Sequence, residues 1–73
     1  MKKTKRVKKH PEYYAIKAYQ ILQKLTDDDM AKHLGVTRRT YCDKVNGYSD
    51  FTLAEGAMVA RILNKTQDEI FLI

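Results

Sequence analysis

A single glycine, Gly35, separates two short helical patterns in the middle of the chain. Thr26 before the first pattern and Thr37 before the second are typical N-cap residues, whose side-chain oxygens accept a hydrogen bond from the backbone at a helix start. The tight turn between the patterns requires left-handed backbone angles, which glycine adopts most easily. The sequence therefore predicts two short helices, at 27–34 and 38–45, joined by a turn at Gly35.

The apolar positions of these two helices indicate that they pack on each other. Met30, Ala31 and Leu34 form the apolar face of the first, and Tyr41 and Val45, four residues apart, form that of the second. Two helices that cross steeply and closely need a small residue at the crossing, and Ala31 provides one. We therefore expect Tyr41 in the core.

Three more helices are predicted. No stretch of the chain shows the sustained alternation of apolar and polar residues that would predict a strand. Pro11 suits the first turn of a helix, which the apolar spacing extends over 11–24. The apolar face of this helix contains Tyr13, Ile16, Ala18 or Tyr19, Leu22 and Leu25. Thr52 and Thr66, each with a glutamate three residues later, begin capping boxes that predict helices at 53–63 and 67–72. In the helix at 53–63 we expect Leu53, Ala57, Val59 or Ala60, Ile62 and Leu63 to face inward.

The positive charge is concentrated at the N-terminus. The chain has 73 residues, enough for one domain, and a net charge of +5. Residues 1–10 contain six cations and no acid, whereas the remaining 63 contain eight cations and nine acids. We therefore predict a disordered basic arm at 1–10 and a nearly neutral folded domain at 11–73. Blocks of like charge often act as interaction tails, for nucleic acid among other partners.

Several classes of function are not expected. The chain has no apolar run long enough to span a membrane and no apolar stretch after the basic start that would indicate a signal peptide. The single cysteine, Cys42, favours a reducing, cytoplasmic setting. His10 and His33 lie far apart with no Cys/His cluster around them, so we predict no metal site. No nucleophile and base pattern or glycine-rich phosphate loop is present, and we expect no enzyme activity, cofactor or small-molecule substrate.

The run from Met30 to Thr40 resembles the helix-turn-helix of the Xre, Cro and phage-repressor family. The segments 41–47 and 51–55 are similar to a subgroup common in phages and mobile elements of Gram-positive bacteria. The resemblance covers residues 16–72. It implies a compact five-helix, lambda-repressor-like domain that binds double-stranded operator DNA, usually as a dimer, in the cytoplasm and nucleoid of a bacterial host.

The resemblance also implies which residues contact DNA. The bases would be read by Thr37, Arg38, Arg39 and Asp43. An arginine can donate two hydrogen bonds to the O6 and N7 atoms of guanine, and Asp43 either accepts from cytosine or, as we prefer, pairs with Arg39 one turn earlier. The residues expected to contact phosphates are Lys5, Arg6, Lys8 and Lys9 in the arm, and Thr40, Lys44, Asn46, Tyr48 and Ser49 in or after the second helix of the pair.

Two functions remain open on this reading. The first is a Cro-like or repressor-like transcription regulator that acts by occupying its operator. The alternative is a protein-binding module on the same fold: an antirepressor or modulator that captures a partner repressor, or a phage-encoded inhibitor. The near-neutral folded domain and the acidic run 27–29 favour this alternative. The apolar tail either completes the core or forms a homodimer interface, through Ile70, Phe71, Leu72 and Ile73.

Overall fold

The structure, a computed structural model, describes residues 7–71 of the chain. In that range it contains five α-helices and no strand, which confirms the predicted all-α class. The helices are α1 (Tyr14–Leu22), α2 (Asp27–Leu34), α3 (Arg38–Asn46), α4 (Leu53–Leu63) and α5 (Gln67–Ile70). None of these helices is long and apolar enough to cross a membrane.

Threonine side chains begin four of the five helices, as the sequence predicts. At α2 the hydroxyl oxygen of Thr26 accepts from the backbone N–H of Asp29 at 3.1 Å, while the Asp29 carboxylate accepts from the backbone N–H of Thr26 at 3.0 Å. The same reciprocal bonds are present at both predicted capping boxes, which confirms them. Because the carboxylate form of Asp29 accepts this backbone hydrogen bond, the pKa of Asp29 is lowered.

The predicted C-terminal ends are correct for two of the helices that threonines begin and differ by one or two residues for the other two. α2 and α4 begin and end at the predicted residues, and α3 continues one residue further, to Asn46. Gly35 takes the left-handed conformation expected of it, with φ of 73°. α5 ends at Ile70, two residues before the predicted end.

The predicted first helix, at 11–24, is wrong at both ends. The N–H of Tyr13 donates to the carbonyl oxygen of Val45 at 3.0 Å. This hydrogen bond holds the segment before α1 against α3, and α1 begins only at Tyr14. No side chain caps the start of α1. At the other end Lys24 has φ of 59°, a left-handed conformation that terminates the helix.

The core lies where α2 packs on α3 and α4, and α1 and α5 close it from the sides. Ala31 is 3% exposed, in agreement with the small residue expected at a close helix crossing. The buried apolar residues of the described part are Ile16, Met30, Ala31, Tyr41, Val45, Val59, Ala60, Leu63 and Ile70.

Two leucines expected to face inward are instead exposed. Leu22 is 75% exposed, because the buried side of α1 is defined by Ile16 and Gln20, and Leu22 lies more than 100° around the helix from both. Leu53 is 89% exposed, because it occupies the first position of α4, before the stretch 56–63 that carries the buried residues of that helix.

A chain of hydrogen bonds crosses the core and joins three helices. The buried hydroxyl of Tyr41 on α3 donates to the side-chain oxygen of Gln20 on α1. The Gln20 amide nitrogen in turn donates to the Asp27 carboxylate at the start of α2, at 3.0 Å. Gln20 is only 4% exposed, and no buried side-chain nitrogen or oxygen in the described residues lacks a partner. Burial raises the pKa of the Tyr41 phenol, so it remains a hydrogen-bond donor.

The segment before α1 lies against the end of α3, so the prediction of a disordered arm reaching residue 10 was too long. The N–H of Lys9 donates to the carbonyl oxygen of Gly47 at 2.6 Å, and the Nε2 atom of His10 lies 2.9 Å from the carbonyl oxygen of Ser49. Gly47 has φ of 103°, and a Cβ atom there would overlap the carbonyl oxygen of His10. Residues 1–6 lie outside the described range.

We expect Tyr41→Phe to lower the free energy of unfolding by about 1–3 kcal/mol, because it leaves the buried Gln20 oxygen without its donor. Urea denaturation followed by circular dichroism measures this change. Tyr14→Phe is the matched control, since Tyr14 is 68% exposed. Equal stability of the two variants would show that the Tyr41 hydroxyl contributes nothing.

The two left-handed glycines provide a second test. A Cβ atom at Gly35 meets no atom within 4 Å, so Gly35→Ala should cost only the backbone strain, about 1–2 kcal/mol. Gly47→Ala adds the overlap with His10, and we expect a further loss of about 1–3 kcal/mol. Amide hydrogen exchange should show the Lys9 amide losing protection only in Gly47→Ala. The same loss of stability in both variants would contradict the close approach.

Candidate nucleic-acid interface

The start of α3 presents a pair of adjacent arginines to solvent. The Thr37 hydroxyl oxygen accepts from the backbone N–H of Thr40 at 3.1 Å and so fixes the first turn of the helix. Tyr41 and Val45 point into the core. Arg38 and Arg39 are both exposed in the first turn. At 100° per residue Arg39 lies roughly opposite Tyr41, whereas Arg38 lies within about 60° of it, on the side of α2. Both guanidinium groups therefore extend from the first turn of a helix that is anchored to the core.

Arg38 has one weak ionic partner. Its Nε atom lies 4.0 Å from the Asp28 carboxylate on α2, with side chains 65% and 75% exposed. An exposed pair of this kind contributes about 0–1 kcal/mol, because water screens it and both side chains lose freedom. Arg38 can therefore exchange Asp28 for another acceptor at little cost.

The predicted ion pair between Arg39 and Asp43 was wrong. It is not among the ion pairs formed by residues 7–71, and Arg38 pairs with Asp28 instead. An acid four residues after a base is the weaker of the two orientations on a helix, which explains why helix spacing alone does not produce this contact. Asp43 is half-buried, and its backbone carbonyl accepts from the N–H of Tyr48 at 2.8 Å in the turn that ends α3.

Lys44, predicted as a phosphate contact, is nearly buried and already paired. Its Nζ atom lies 2.6 Å from the Glu55 carboxylate, and the two side chains are 12% and 19% exposed. Nζ also donates to the carbonyl oxygen of Asp50 at 3.3 Å. Lys44 therefore links α3 to the loop and the first turn of α4. Because Lys44 and Glu55 are eleven positions apart and on different helices, no local pattern predicts this pair.

The other predicted phosphate contacts gather at the end of α3. Lys8 lies with its Nζ atom 5.7 Å from the centre of the Tyr48 ring and 3.6 Å from the Glu12 carboxylate, and Lys9 is exposed beside Gly47. Three residues after or at the end of α3 are half-buried: Asn46, Tyr48 and Ser49. Of the remaining predicted contacts, Thr40 is half-buried and accepts from the Thr37 hydroxyl at 2.9 Å, and Lys5 and Arg6 lie outside the described residues.

The predicted dimer interface was wrong at Ile70, which is fully buried in the core. Phe71 is half-buried, and its ring lies 4.9 Å from that of Tyr13 and 5.8 Å from that of Phe51, measured between ring centres. Ile70 is the one apolar residue of α5, so this short helix can close the core only by turning Ile70 inward. Leu72 and Ile73 lie outside the described residues.

The acidic run at the start of α2 has two separate tasks. Asp29 forms a capping box with Thr26, which the sequence analysis did not predict. Asp27 instead accepts from Gln20 and, at 3.5 Å, from the thiol of Cys42. Burial and the neighbouring Asp27 raise the pKa of Cys42, so the reactive thiolate is disfavoured. The sequence contained a signal for the contact between Gln20 and Asp27. Gln20 is the one uncharged polar residue among the apolar positions of α1, and the sequence analysis gave it no role.

Comparison with known proteins adds no identification. No model of a known protein family matches the chain, and a search of curated proteins finds no match to it. The candidate interface therefore rests on its own residues and geometry.

We predict that the stabilisation contributed by the Lys44–Glu55 pair is lost in acid. Burial alone would raise the pKa of Glu55, but hydrogen bonds from Lys44 and from the Thr52 backbone outweigh it, and the pKa is lowered below the ordinary value of 4.5. A lowered pKa in the folded state gives stability that is present above the ordinary value and is lost as pH falls through the folded one. We expect Glu55→Gln to cost about 1–3 kcal/mol at pH 7 and progressively less below pH 4.5.

Denaturation with urea at a series of pH values measures this difference. Asp68→Asn is the control, because Asp68 is an exposed acid on α5. A difference between the native protein and Glu55→Gln that stays constant from neutral to acid pH would contradict the assigned role of the ion pair.

Proposed function

We propose that this protein is a sequence-specific, double-stranded DNA-binding transcription regulator, with α2 and α3 as a lambda-repressor-like helix-turn-helix. The observation that carries the proposal is the pair of exposed arginines in the first turn of α3, on a helix anchored to the core through Tyr41 and Val45. In this class of motif the N-terminal residues of the second helix contact base edges in the major groove.

The geometry of α3 supports a reading role because base recognition needs rigid side-chain placement. α3 is held at its inner face by the Tyr41 hydroxyl and at its end by the Tyr13 amide and the Lys44–Glu55 pair. The major groove is about 12 Å wide and admits one helix. An anchored α3 can therefore enter the groove without first paying the entropy of ordering a loop.

In this proposal Arg38 and Arg39 donate to guanine, and Asp43 accepts from a cytosine amino group rather than holding Arg39. Thr37 contacts a base beside them, and Thr40, in the first turn of α3, lies where a phosphate would approach the positive end of the helix. The protein would act in a bacterial cytoplasm by occupying an operator and excluding polymerase or a rival regulator.

The phosphate-binding surface in the proposal differs from the one predicted from sequence. Lys44 is withdrawn from it, since releasing Lys44 would break a nearly buried ion pair. Lys8 and Lys9 remain, because the backbone bond from Lys9 to Gly47 places both cations beside the end of α3. Lys5 and Arg6 continue the same basic segment in the sequence. Cations beside the end of the recognition helix can follow the DNA backbone there.

A protein-binding module is the second candidate function. It is favoured by the Arg38–Asp28 pair, which partly neutralises the proposed reading surface, and by the near-neutral charge of residues 11–73. Such a module would use the same fold to capture another protein, and it would show no preference among DNA sequences.

Selection from a random duplex library at physiological salt, with the full chain, tests the proposal. We expect enrichment of a short motif that contains guanine. Failure to enrich any sequence, while circular dichroism shows a folded helical protein, would contradict DNA reading and favour the protein-binding module.

Arginine variants then test which residues read the motif. Arg38→Ala and Arg39→Ala should each weaken binding to the enriched duplex by about 1–3 kcal/mol and relax the preference at one base pair, measured by fluorescence anisotropy. Arg61→Ala is the matched control, because Arg61 is an exposed arginine on α4. Equal losses at all three positions would show only a general dependence on positive charge.

A further inference from the structure

The outward face of α1 is apolar, which reverses the usual arrangement of a surface helix. Tyr14, Ile21 and Leu22 are 68%, 76% and 75% exposed, and Ala18 is also exposed. The one uncharged polar side chain of this helix, Gln20, is buried instead. A helix with apolar residues on all sides is normally covered on all sides.

These four exposed residues form a continuous strip, here called the α1 stripe: Tyr14, Ala18, Ile21 and Leu22. At 100° per residue they share one sector of the helix, roughly opposite Ile16, and they extend over about 12 Å of its length. Single exposed apolar residues are ordinary, but a contiguous strip on a protein surface marks an interaction site.

Lysines border the α1 stripe on both sides and at its end. Lys17 is the one charged residue of α1 and lies next to the stripe on one side, and Lys24 follows its C-terminal end. On the other side Lys65 lies with its Nζ atom 4.9 Å from the centre of the Tyr19 ring. Within residues 7–71 none of these three lysines forms an ion pair. The border of the stripe is therefore positively charged, and its charges are available to a partner.

From this arrangement we infer that the α1 stripe binds an amphipathic helix of another protein, whose apolar face is flanked by aspartates or glutamates. Apolar contact would cover Tyr14, Ile21 and Leu22, and the acidic flanks would meet Lys17 and Lys65. A second copy of this chain fits less well, because two α1 stripes face to face would bring their lysine borders together.

A groove beside the stripe gives the partner a place for an anchoring side chain. It has a volume of about 360 Å³ and lies between α1 and the starts of α2 and α3. Two apolar side chains, Ile21 and Leu25, line it together with Lys17, Gln20, Thr26, Asp27 and Arg38. The far side of the groove leads to the acidic start of α2, where Asp28 is 75% exposed.

The α1 stripe itself contains none of the residues proposed to contact DNA, but Arg38 lines the neighbouring groove. A partner side chain in that groove would therefore contact the first turn of α3. The peptide experiment uses the protein without DNA, so this inference can fail while the proposed function holds.

The test uses the full chain, labelled with ¹⁵N, and two synthetic helical peptides of about 15 residues. Both peptides carry leucines along one face; one has glutamates on both flanks, and the other has lysine in place of each glutamate. We expect the acidic peptide to shift the amide signals of α1, and the basic peptide to bind at least about tenfold more weakly.

Variants of the stripe make the test specific. Ile21→Ser and Leu22→Ser should each weaken binding of the acidic peptide about tenfold, whereas Leu53→Ser, at an equally exposed leucine on α4, should leave it unchanged. Lys17→Glu combined with Lys65→Glu should reverse the preference between the peptides. Circular dichroism of each variant confirms that it remains folded.

Four outcomes would overturn the inference. The first two are equal binding of the two peptides, and no shift of the α1 amide signals at peptide concentrations up to about 1 mM. The third is a shift of the α1 signals with protein concentration in the absence of peptide, which would indicate a second copy of this chain. The fourth is a shift of the α1 signals with phosphatidylserine vesicles but not with the acidic peptide, which would indicate a membrane.

Discussion

The hydroxyl of Tyr41 donates to Gln20 in the middle of the core, and Gln20 donates in turn to Asp27 at the start of α2. This chain of hydrogen bonds joins α3, α1 and α2 through groups that are expensive to bury alone. Apolar packing is tolerant of small rotations, whereas a buried hydrogen bond fixes both its partners in direction. The relative position of α2 and α3, and so the direction of the α3 arginines, depends on this contact.

The rest of the candidate interface follows from how α3 is held at its two ends. The Thr37 cap fixes its first turn, and the Tyr13 amide and the Lys44–Glu55 pair fix its last. With the inner face and the last turn occupied, the exposed side chains of the first turn are the part of α3 left for a partner. Lys44 is therefore not part of the proposed DNA surface, because it is paired with Glu55, whereas Arg38 and Arg39 remain in that surface because they are exposed.

Local signals in the sequence were sufficient for part of this fold. The bounds of α2 follow from Thr26 and Gly35, because a cap and a left-handed glycine act within one helical turn. The start of α1 could not be predicted, since it depends on a hydrogen bond from Tyr13 to a distant part of the chain. The same holds for Lys44 and Glu55: the sequence identifies a lysine near the interface, but only tertiary packing decides that it is buried and paired.

The proposed DNA surface is tested most directly by mapping amide chemical shifts of the ¹⁵N-labelled full chain as a duplex recovered from the random library is added. The account predicts the largest shifts at the start of α3, from Thr37 to Thr40, and around Lys9 and Gly47, with the outward residues of α4 unchanged. Shifts confined to α1 or α4, with the start of α3 unaffected, would contradict it.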